Sequence, residues 1–262
     1  MRCFAKLNIF LKIVGFRGSY HELSSRFMLF EELFDDLTFV PRSGEGLVLD
    51  DPFCDNIVVK AYNKLAEFAA QNGFLDRLEA FFATHQVALV KRIPHGAGLG
   101  GGSSDAAGFL RLCNEVLDLG LSSSQLADIG VKVGADVPFF LSGFKSANVG
   151  GIGEILTPFE DDLPPLKLLL TGEIFPTPVV FSEFRRDFCA AFATPQAQNA
   201  KFGFNKTLAA RLLRLTSRQI LSEFEAAALN DLAAPCERLF EGFALQKGEF
   251  LSGSGSSKFC VK

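Results

Sequence analysis

A glycine-rich stretch at residues 94–105, PHGAGLGGGSSD, constrains this chain more than any other feature, because five glycines fall within seven positions. The run before it, 87–93, is short, rich in branched residues and ended by Pro94, which is typical of a strand. The run after it has the apolar spacing of a helix, with Ser103, Ser104 or Asp105 available as the N-cap. Glycine permits positive φ and close approach to backbone N–H groups, and a helix N-terminus attracts anions. The stretch therefore predicts a strand–loop–helix unit that binds an anion, most often phosphate.

Two familiar nucleotide loops are excluded by their context. Gly96, Gly98 and Gly101 match the dinucleotide fingerprint as letters, but that fold needs a second strand ending in an acidic residue about 20 residues later. The nearest acid there is Asp118, at the end of a helical pattern, so a nicotinamide site is excluded. A Walker loop needs Lys after its last glycine, and Ser103 stands there instead. A nucleotide loop of another kind remains, with a purely structural turn as the alternative.

Two further places put polar groups in apolar surroundings. Residues 5–13 alternate as a strand with one buried face, which puts Lys6 and Asn8 on the other face about 7 Å apart. They are either functional groups or part of a solvated face, and spacing alone leaves both open. Asp136 stands in the apolar run GADVPFFL, where a carboxylate is costly unless it is paired or used. The alternative is an Asp that caps a turn before Pro138.

Composition narrows the class of protein. The 262 residues are 48% hydrophobic and 21% charged, which is typical of a globular chain of one or two domains. The net charge of -4 argues against a nucleic-acid partner. No apolar run is long enough to span a bilayer, and the N-terminus does not have the pattern of a signal peptide. Six scattered cysteines without a CxxC pair predict a reduced, cytoplasmic protein with neither disulfides nor zinc.

Local patterns predict several other elements. A helix over 55–73 is capped by Asp55, and a capping box at 122–125 begins a helix that ends near Gly134. The acidic, Pro-rich residues 161–165 predict a linker followed by a strand over 166–171, and Thr177 is predicted to cap a helix with Pro178 at its first position. A second small-residue loop at 252–257 leads into a strand. Residues 25–40 fit either a helix or strands.

Residues 94–107 resemble the ATP-binding loop of the GHMP kinase superfamily. AKLNIFL at 5–11 and LSGSGS at 251–256 resemble its first and third motifs. YHEL at 20–23, GADVPFF at 134–140 and NDL at 230–232 are similar to one group within it, the 4-diphosphocytidyl-2-C-methyl-D-erythritol kinases of the non-mevalonate isoprenoid pathway. The likeness covers residues 4–261 in the same order. It implies strands over 25–40 and a two-domain α+β GHMP kinase fold. The N-terminal domain, 1–160, is ribosomal-S5-domain-2-like, the C-terminal domain, 161–262, is ferredoxin-like, and the active site lies in the cleft between them.

The resemblance also implies roles for particular residues. Asp136 is the expected base for the 2-hydroxyl of the substrate, and Lys6 keeps it ionised and offsets charge on the transferred phosphoryl group. Asn8 orients the substrate, Tyr20 and Phe181 stack on cytosine, His21 binds its edge, and Thr177 lies close by. Asn56, Ile57 and Lys91 border the adenine of ATP. The phosphates are bound by Pro94, His95, Gly96, Ala97, Gly98, Leu99, Gly100, Gly101, Gly102, Ser103 and Ser104.

The implied cofactors are ATP and Mg²⁺, and no metal-ligating residue is assigned. The implied partner is the small-molecule substrate, with neither nucleic acid nor membrane, and the expected state is a monomer or weak homodimer. The alternatives are another kinase of the superfamily, for mevalonate or homoserine, and a non-catalytic nucleotide sensor. The family usually reads Asp-Gly-Tyr-His where this chain reads Gly-Ser-Tyr-His at 18–21, and it commonly continues beyond the third motif, so we expect differences at the cytidine pocket and at the C-terminal edge.

Overall fold

The computed structural model describes residues 1–42, 49–50 and 57–262, which include nine strands and ten helices. The strands are β1 (Arg2–Arg17), β2 (Tyr20–Pro41), β3 (Leu49–Asp50), β4 (His85–Val90), β5 (Ser146–Gly150), β6 (Ile155–Pro158), β7 (Leu166–Leu169), β8 (Phe250–Leu251) and β9 (Lys258–Val261). The helices are α1 (Ile57–Asn72), α2 (Leu75–Thr84), α3 (Gly101–Val116), α4 (Ser123–Val133), α5 (Val137–Ser142), α6 (Thr177–Ala191), α7 (Pro195–Leu212), α8 (Ser217–Glu223), α9 (Ala226–Leu229) and α10 (Ala233–Leu239). The predicted α+β class is confirmed, and residues 25–40 are strand, as the resemblance implied.

The described residues form two compact units, each assembled from separate stretches of the chain. The first unit comprises Met1–Ala5, Phe30–Ile93 and Gly100–Phe144, and the second comprises Lys6–Leu29, Pro94–Leu99 and Lys145–Lys262. The long strands β1 and β2 contribute residues to both. A linear domain boundary near residue 160 stays a prediction. None of the described helices combines the length and the hydropathy of a membrane-spanning segment.

In the first unit, helices pack around a short set of paired strands. The second half of β2 pairs with β4 in antiparallel register, with Leu37 opposite Leu89, and β4 pairs with β3 in parallel. Helix α1 packs against α3 and α4, and α3 packs against α5. The buried side chains of α1 recur every three or four residues: Val58, Ala61, Leu65 and Ala69. One apolar stripe thus faces the core of this unit, as predicted, whereas the predicted cap Asp55 lies outside the described residues.

In the second unit, β1 and β2 form a hairpin whose turn holds Gly18 at a φ of +60°. β2 also pairs with β5, and β5 with β6, both in antiparallel register. A separate three-stranded sheet has the order β7-β9-β8. The apolar core of this unit joins β1 to its helices and includes Leu11, Ile13, Phe175, Val180, Phe184, Phe188, Phe202, Leu232 and Phe243. The predicted small-residue loop between β8 and β9 is confirmed.

Both faces of β1 are buried, so the prediction of one buried face was wrong. Lys6 and Lys12 are each 4% exposed and Asn8 is 1% exposed. Each has polar partners from distant parts of the chain: Lys12, for example, donates to the carbonyl of Ala228 and to the carboxylate of Asp231. Alternation along β1 therefore separates apolar from mostly polar side chains, and not inside from outside.

The helix caps follow the sequence in one place and depart from it in two. The capping box of α4 is present, with Ser122 and Gln125 bonded reciprocally, as predicted. Helix α3 is preceded by Gly100 at a φ of +69°, without a side-chain cap, so the expected caps at 103–105 are wrong because these residues lie inside the helix. Thr177 is the first residue of α6 and not its cap, and its hydroxyl lies 2.9 Å from that of Ser254.

The acidic stretch after β6, at residues 161–162, includes a buried carboxylate with several partners, and so it is not a solvated linker. The carboxylate of Asp161 accepts hydrogen bonds from the Ser146 hydroxyl at 2.8 Å and from the backbone N–H of Ser217 at 2.7 Å. It also pairs with Arg26 at 3.3 Å, and both side chains are buried. Asp162, by contrast, is exposed and pairs with Arg218 on the surface.

Candidate active site

Three glycines of the loop at 94–105 have backbones that other residues rarely adopt. Gly96, Gly98 and Gly100 have φ values of +63°, +73° and +69°, and α3 begins directly after them at Gly101. The first intrahelical hydrogen bond joins the N–H of Ser104 to the carbonyl of Gly100 at 2.9 Å. The N–H groups of residues 101–103 therefore have no acceptor within the helix, and they point toward its N-terminal end. This is the geometry of an anion site.

Gly98 is required for a second reason, which is close contact with the loop between β8 and β9. A Cβ at this position would lie 2.1 Å from the carbonyl oxygen of Ser252 and 2.9 Å from that of Gly255. The Ser252 hydroxyl donates to the carbonyl of Gly98 at 3.1 Å, and the N–H of Ser257 donates to that of Ala97 at 3.1 Å. Two small-residue loops that are far apart in sequence thus lie backbone to backbone. Gly98 is needed for this close contact as well as for the turn.

Lys6 and Asn8 meet beside these loops in the second unit. The ammonium of Lys6 donates to the side-chain oxygen of Asn8 at 2.5 Å and to the carbonyl of Gly98 at 3.1 Å. The amide of Asn8 donates to the Ser25 hydroxyl at 3.0 Å, and its backbone N–H donates to Ser252 at 3.3 Å. The solvated-face alternative is therefore wrong, because both side chains are buried and bonded. A buried cation held next to a glycine loop is suited to stabilising negative charge.

Asp136 lies in the first unit, in the turn that leads from α4 into α5. It occupies the N-cap position of α5, but its side chain makes no capping hydrogen bond, so the capping alternative is wrong. A Cβ on Gly134, two residues earlier, would lie 3.9 Å from the hydroxyl of Ser103. The segment that leads to Asp136 therefore lies against the first turn of α3, next to the predicted phosphate site.

Lys91 has partners that the sequence did not indicate. Its ammonium lies 2.5 Å from a carboxylate oxygen of Asp35 and 2.6 Å from one of Asp105. The second oxygen of Asp35 accepts from the backbone N–H of Ile93 at 2.8 Å. Burial raises the pKa of Asp105 to about 7, and the charge of Lys91 opposes this shift only in part. One cation and two buried carboxylates thus join β2 and the end of β4 to the second turn of α3.

Ile57 lies beside the same helix start. A Cβ on Gly102 would meet the side chain of Ile57 at 3.1 Å, so the first residue of α1 borders the first turn of α3. Asn56, the other residue expected near the adenine, lies outside the described residues. Ile57 and Lys91 therefore both lie beside the first two turns of α3, and their role at the adenine stays a prediction.

An aromatic cluster in the second unit contains His21 and Phe181, which are expected to bind the cytidine, together with Phe16. The ring of His21 lies 5.2 Å from that of Phe16 on β1 and 5.0 Å from that of Phe181 on α6. Burial, and then repulsion from Arg185, lower the pKa of His21 to about 4. Its imidazole is therefore neutral at pH 7. Tyr20 is 61% exposed beside this cluster, which leaves its ring open to a ligand.

The described residues contain no group of three or more His, Cys, Asp or Glu placed to hold a metal ion. Mg²⁺ in kinase sites is usually bound by substrate phosphates, water and one or two carboxylates. The free N–H groups at the start of α3 are suited to phosphate oxygens, and those oxygens would themselves be ligands of the ion.

Curated relatives match the chain over its full length. A 4-diphosphocytidyl-2-C-methyl-D-erythritol kinase from Sulfurimonas denitrificans is 44% identical over 100% of this chain and 96% of its own. The chain belongs to this kinase family. An enzyme of the same name from Campylobacter jejuni subsp. jejuni is 40% identical over 100% of this chain and 99% of its own, and one from Helicobacter pylori is 34% identical over 99% and 93%.

The chain also matches a family model and solved structures of related kinases. The model for the GHMP kinases N terminal domain matches residues 56–144. A crystal structure of 4-(cytidine 5'-diphospho)-2C-methyl-D-erythritol kinase has a TM-score of 0.70 and 29% identity, over 100% of this chain and 89% of that one. A crystal structure of L. major mevalonate kinase has a TM-score of 0.67 at 13% identity, over 100% of this chain and 86% of that one, which shows the shared fold alone. The predicted GHMP kinase fold is thereby confirmed.

Proposed function

We propose that this member of the kinase family transfers the γ-phosphoryl group of ATP to the 2-hydroxyl of 4-diphosphocytidyl-2-C-methyl-D-erythritol. The observation that carries the proposal is the full-length match to kinases named for that substrate, at up to 44% identity. The buried Lys6 beside the glycine loop supports the same chemistry, because phosphoryl transfer depends mainly on positioning and charge stabilisation. We place the reaction in the cytoplasm, with a monomer or weak homodimer as the working unit.

The nucleotide is proposed to bind around the start of α3. The N–H groups and hydroxyls of residues 98–104 hold the triphosphate, while Asn56, Ile57 and Lys91 border the adenine. Mg²⁺ supplies positive charge that offsets the charge of the phosphates. The ammonium of Lys91 is already bound by two carboxylates, so its contribution here is to fix the position of the helix start and not to pair with phosphate.

Asp136 is proposed to accept the proton of the acceptor hydroxyl, and Lys6 to offset the charge that develops on the transferred phosphoryl group. A carboxylate within hydrogen-bond reach of the acceptor hydroxyl can take its proton as a general base. The side-chain oxygen of Asn8 accepts a hydrogen bond from the ammonium of Lys6, and this bond fixes the direction of both side chains. We propose that Asn8 orients the methylerythritol end of the substrate.

The cytidine end is proposed to be recognised by Tyr20, His21 and Phe181, with Thr177 close by. The two aromatic rings offer stacking surfaces for the base. His21 is neutral, so its imidazole offers one donor and one acceptor, which is what the edge of cytosine requires. A charged imidazole would offer donors only.

The test is an acceptor panel. Purified protein with ATP and Mg²⁺ is offered 4-diphosphocytidyl-2-C-methyl-D-erythritol, mevalonate and homoserine in separate assays that measure ADP formation. We expect turnover with the cytidyl substrate and a kcat/KM at least about 10³-fold lower with the other two, because the cytosine contacts are absent. Turnover of mevalonate or homoserine alone would assign the chain to another kinase activity. Nucleotide binding without turnover of any acceptor would make it a sensor.

A further inference from the structure

Arg185 ties helix α6 to the turn between β1 and β2. Its two terminal nitrogens both donate to the carbonyl of Gly18, at 3.0 and 3.1 Å, and one also donates to the carbonyl of Tyr20 at 3.0 Å. Gly18 has a φ of +60°, and this turns its carbonyl in a direction that most residues would not allow. A single side chain therefore holds both ends of a turn that lies 165 residues or more away in sequence.

The same guanidinium also packs on the aromatic cluster around His21. Its central carbon lies 4.3 Å from the centre of the Phe16 ring, in a cation–π contact. Phe16 in turn meets His21 edge to face at 5.2 Å. Phe181 lies one helical turn before Arg185 on α6, and its ring lies 5.0 Å from that of His21. Arg185 thus contacts the turn that carries Tyr20 and His21 and shares a helix face with the third expected cytidine residue.

Charge adds a second effect of Arg185 on this cluster. Burial among the rings of Phe16, Phe181 and Phe184 is the first cause of the low pKa of His21, and the nearby positive charge of Arg185 is the second. The other charged groups close in sequence, Arg17 and Glu22, pair with each other on the surface. Nε2 of His21 is buried and has no hydrogen-bond partner in the described chain. An unpaired buried atom costs free energy, which a ligand that bonds to it recovers.

We propose that Arg185 is a positioning residue for recognition of the pyrimidine base, because it holds the β1–β2 turn against α6. The proposal rests on the proposed function, since it assigns Arg185 to the cytidine end of that substrate. The turn at 18–21, Gly-Ser-Tyr-His, accepts the hydrogen bonds of Arg185 at the carbonyls of Gly18 and Tyr20. Arg185 does not touch the reacting atoms, and its effect is on the geometry of the residues that bind the base.

The experiment compares Arg185→Met and Arg185→Lys with a matched control, Arg186→Met. Arg186 is the next residue on α6, but its side chain is 71% exposed and pairs only with acidic residues of the same helix among the described contacts. For each variant we would measure kcat, the KM for the cytidyl substrate, the KM for ATP and, by calorimetry, the Kd for CDP. The pKa of His21 is followed by NMR.

We expect Arg185→Met to raise the KM for the cytidyl substrate and the Kd for CDP by about tenfold, which is the scale of a lost hydrogen bond to a charged group. The KM for ATP stays within about twofold of the wild-type value, because the ATP-binding loop is not involved. Arg185→Lys keeps the charge and some of the donors, so its Kd for CDP lies between the two, and it replaces the Met variant if that one does not fold. The pKa of His21 rises in Arg185→Met and stays low in Arg185→Lys.

Three results would overturn the proposal in distinguishable ways. If the wild-type protein phosphorylates the cytidyl substrate but Arg185→Met has the same KM and Kd values as Arg186→Met, the proposal for Arg185 fails and the proposed function stands. If Arg185→Met changes the KM for both substrates equally, its role is structural only, and the proposal fails as well. If the wild-type protein neither binds CDP nor phosphorylates the cytidyl substrate, both are overturned.

Discussion

Asp136 is the residue on which the proposed chemistry depends most. Asp136→Asn keeps the size of the side chain and removes the base, so we expect kcat to fall by at least about 10²-fold. Asp118→Asn is the matched control, since Asp118 is exposed in the same unit and its φ of +46° suits Asn equally well. Unchanged turnover in Asp136→Asn would show that the base is another group.

Asp105 predicts a pH dependence of stability. Its pKa in the folded protein is about 7 against a usual value of 3.8, so between those pH values the folded state holds a proton that the unfolded chain releases. Stability therefore falls as pH rises from about 4 to about 7, by a few kcal/mol, and is flat above that range with respect to this group. Asp105→Asn has no proton to lose. We would measure the unfolding free energy of wild type and of Asp105→Asn in urea. The value for wild type minus the value for Asp105→Asn is expected to fall as pH rises over that range, and a value that is constant with pH would contradict the assignment.

At the scale of elements, the two small-residue loops of the second unit depend on Gly98. Gly98→Ala adds a Cβ that would lie 2.1 Å from the carbonyl oxygen of Ser252 and forces a left-handed backbone on a residue with a side chain. Gly172→Ala is the matched control, because Gly172 has a φ of +79° but no atom within 4 Å of the added carbon. We expect the control to lose about 1 kcal/mol of unfolding free energy from backbone strain, and Gly98→Ala about 2–5 kcal/mol from strain and overlap together.

Urea denaturation measures both variants, and the KM for ATP is measured beside it. Gly98→Ala is expected to raise that KM as well, because the displaced backbone is the one proposed to hold phosphate. Equal losses of stability in Gly98→Ala and Gly172→Ala would show that the loops do not pack together in solution.

The sequence predicted the elements that neighbouring residues decide. The capping box at 122–125, the stripe of α1 and the glycine loop before α3 are each set within a few residues, and each is confirmed. Long-range partners could not be read in the same way. Lys91 pairs with Asp35, 56 positions away, and with Asp105, 14 positions away. The carbonyls to which Arg185 donates are at least 165 positions away. Polarity along β1 was clear from the pattern, but its burial depends on such distant partners.

At the scale of the molecule, the stability of the second unit depends on a buried ion pair. Arg26 on β2 pairs with Asp161 and donates to the carbonyls of Leu213 and Leu215, after the end of α7. Arg26→Met would leave the buried carboxylate without its charge partner. We expect a loss of about 3–5 kcal/mol of unfolding free energy.

The matched control is Arg218→Met, since Arg218 pairs with the neighbouring acid, Asp162, at 2.7 Å on the surface. An exposed pair is screened by solvent and contributes little to stability, so we expect a much smaller loss than in Arg26→Met. Urea denaturation of both variants checks the expectation, and removal of both buried charges in Arg26→Met/Asp161→Asn recovers part of the loss. Similar small losses in Arg26→Met and Arg218→Met would mean that the Arg26 pair is solvated.

The identity of the phosphorylated product tests the family assignment and the proposed chemistry together. Wild-type protein is incubated with ATP, Mg²⁺ and 4-diphosphocytidyl-2-C-methyl-D-erythritol, and ³¹P NMR with proton correlation identifies where the new phosphate is attached. We expect one ADP per product molecule, an intact cytidyl diphosphate and a new phosphomonoester on the 2-hydroxyl. Phosphate on a different hydroxyl, or ADP formed without any phosphorylated acceptor, would contradict the proposed function.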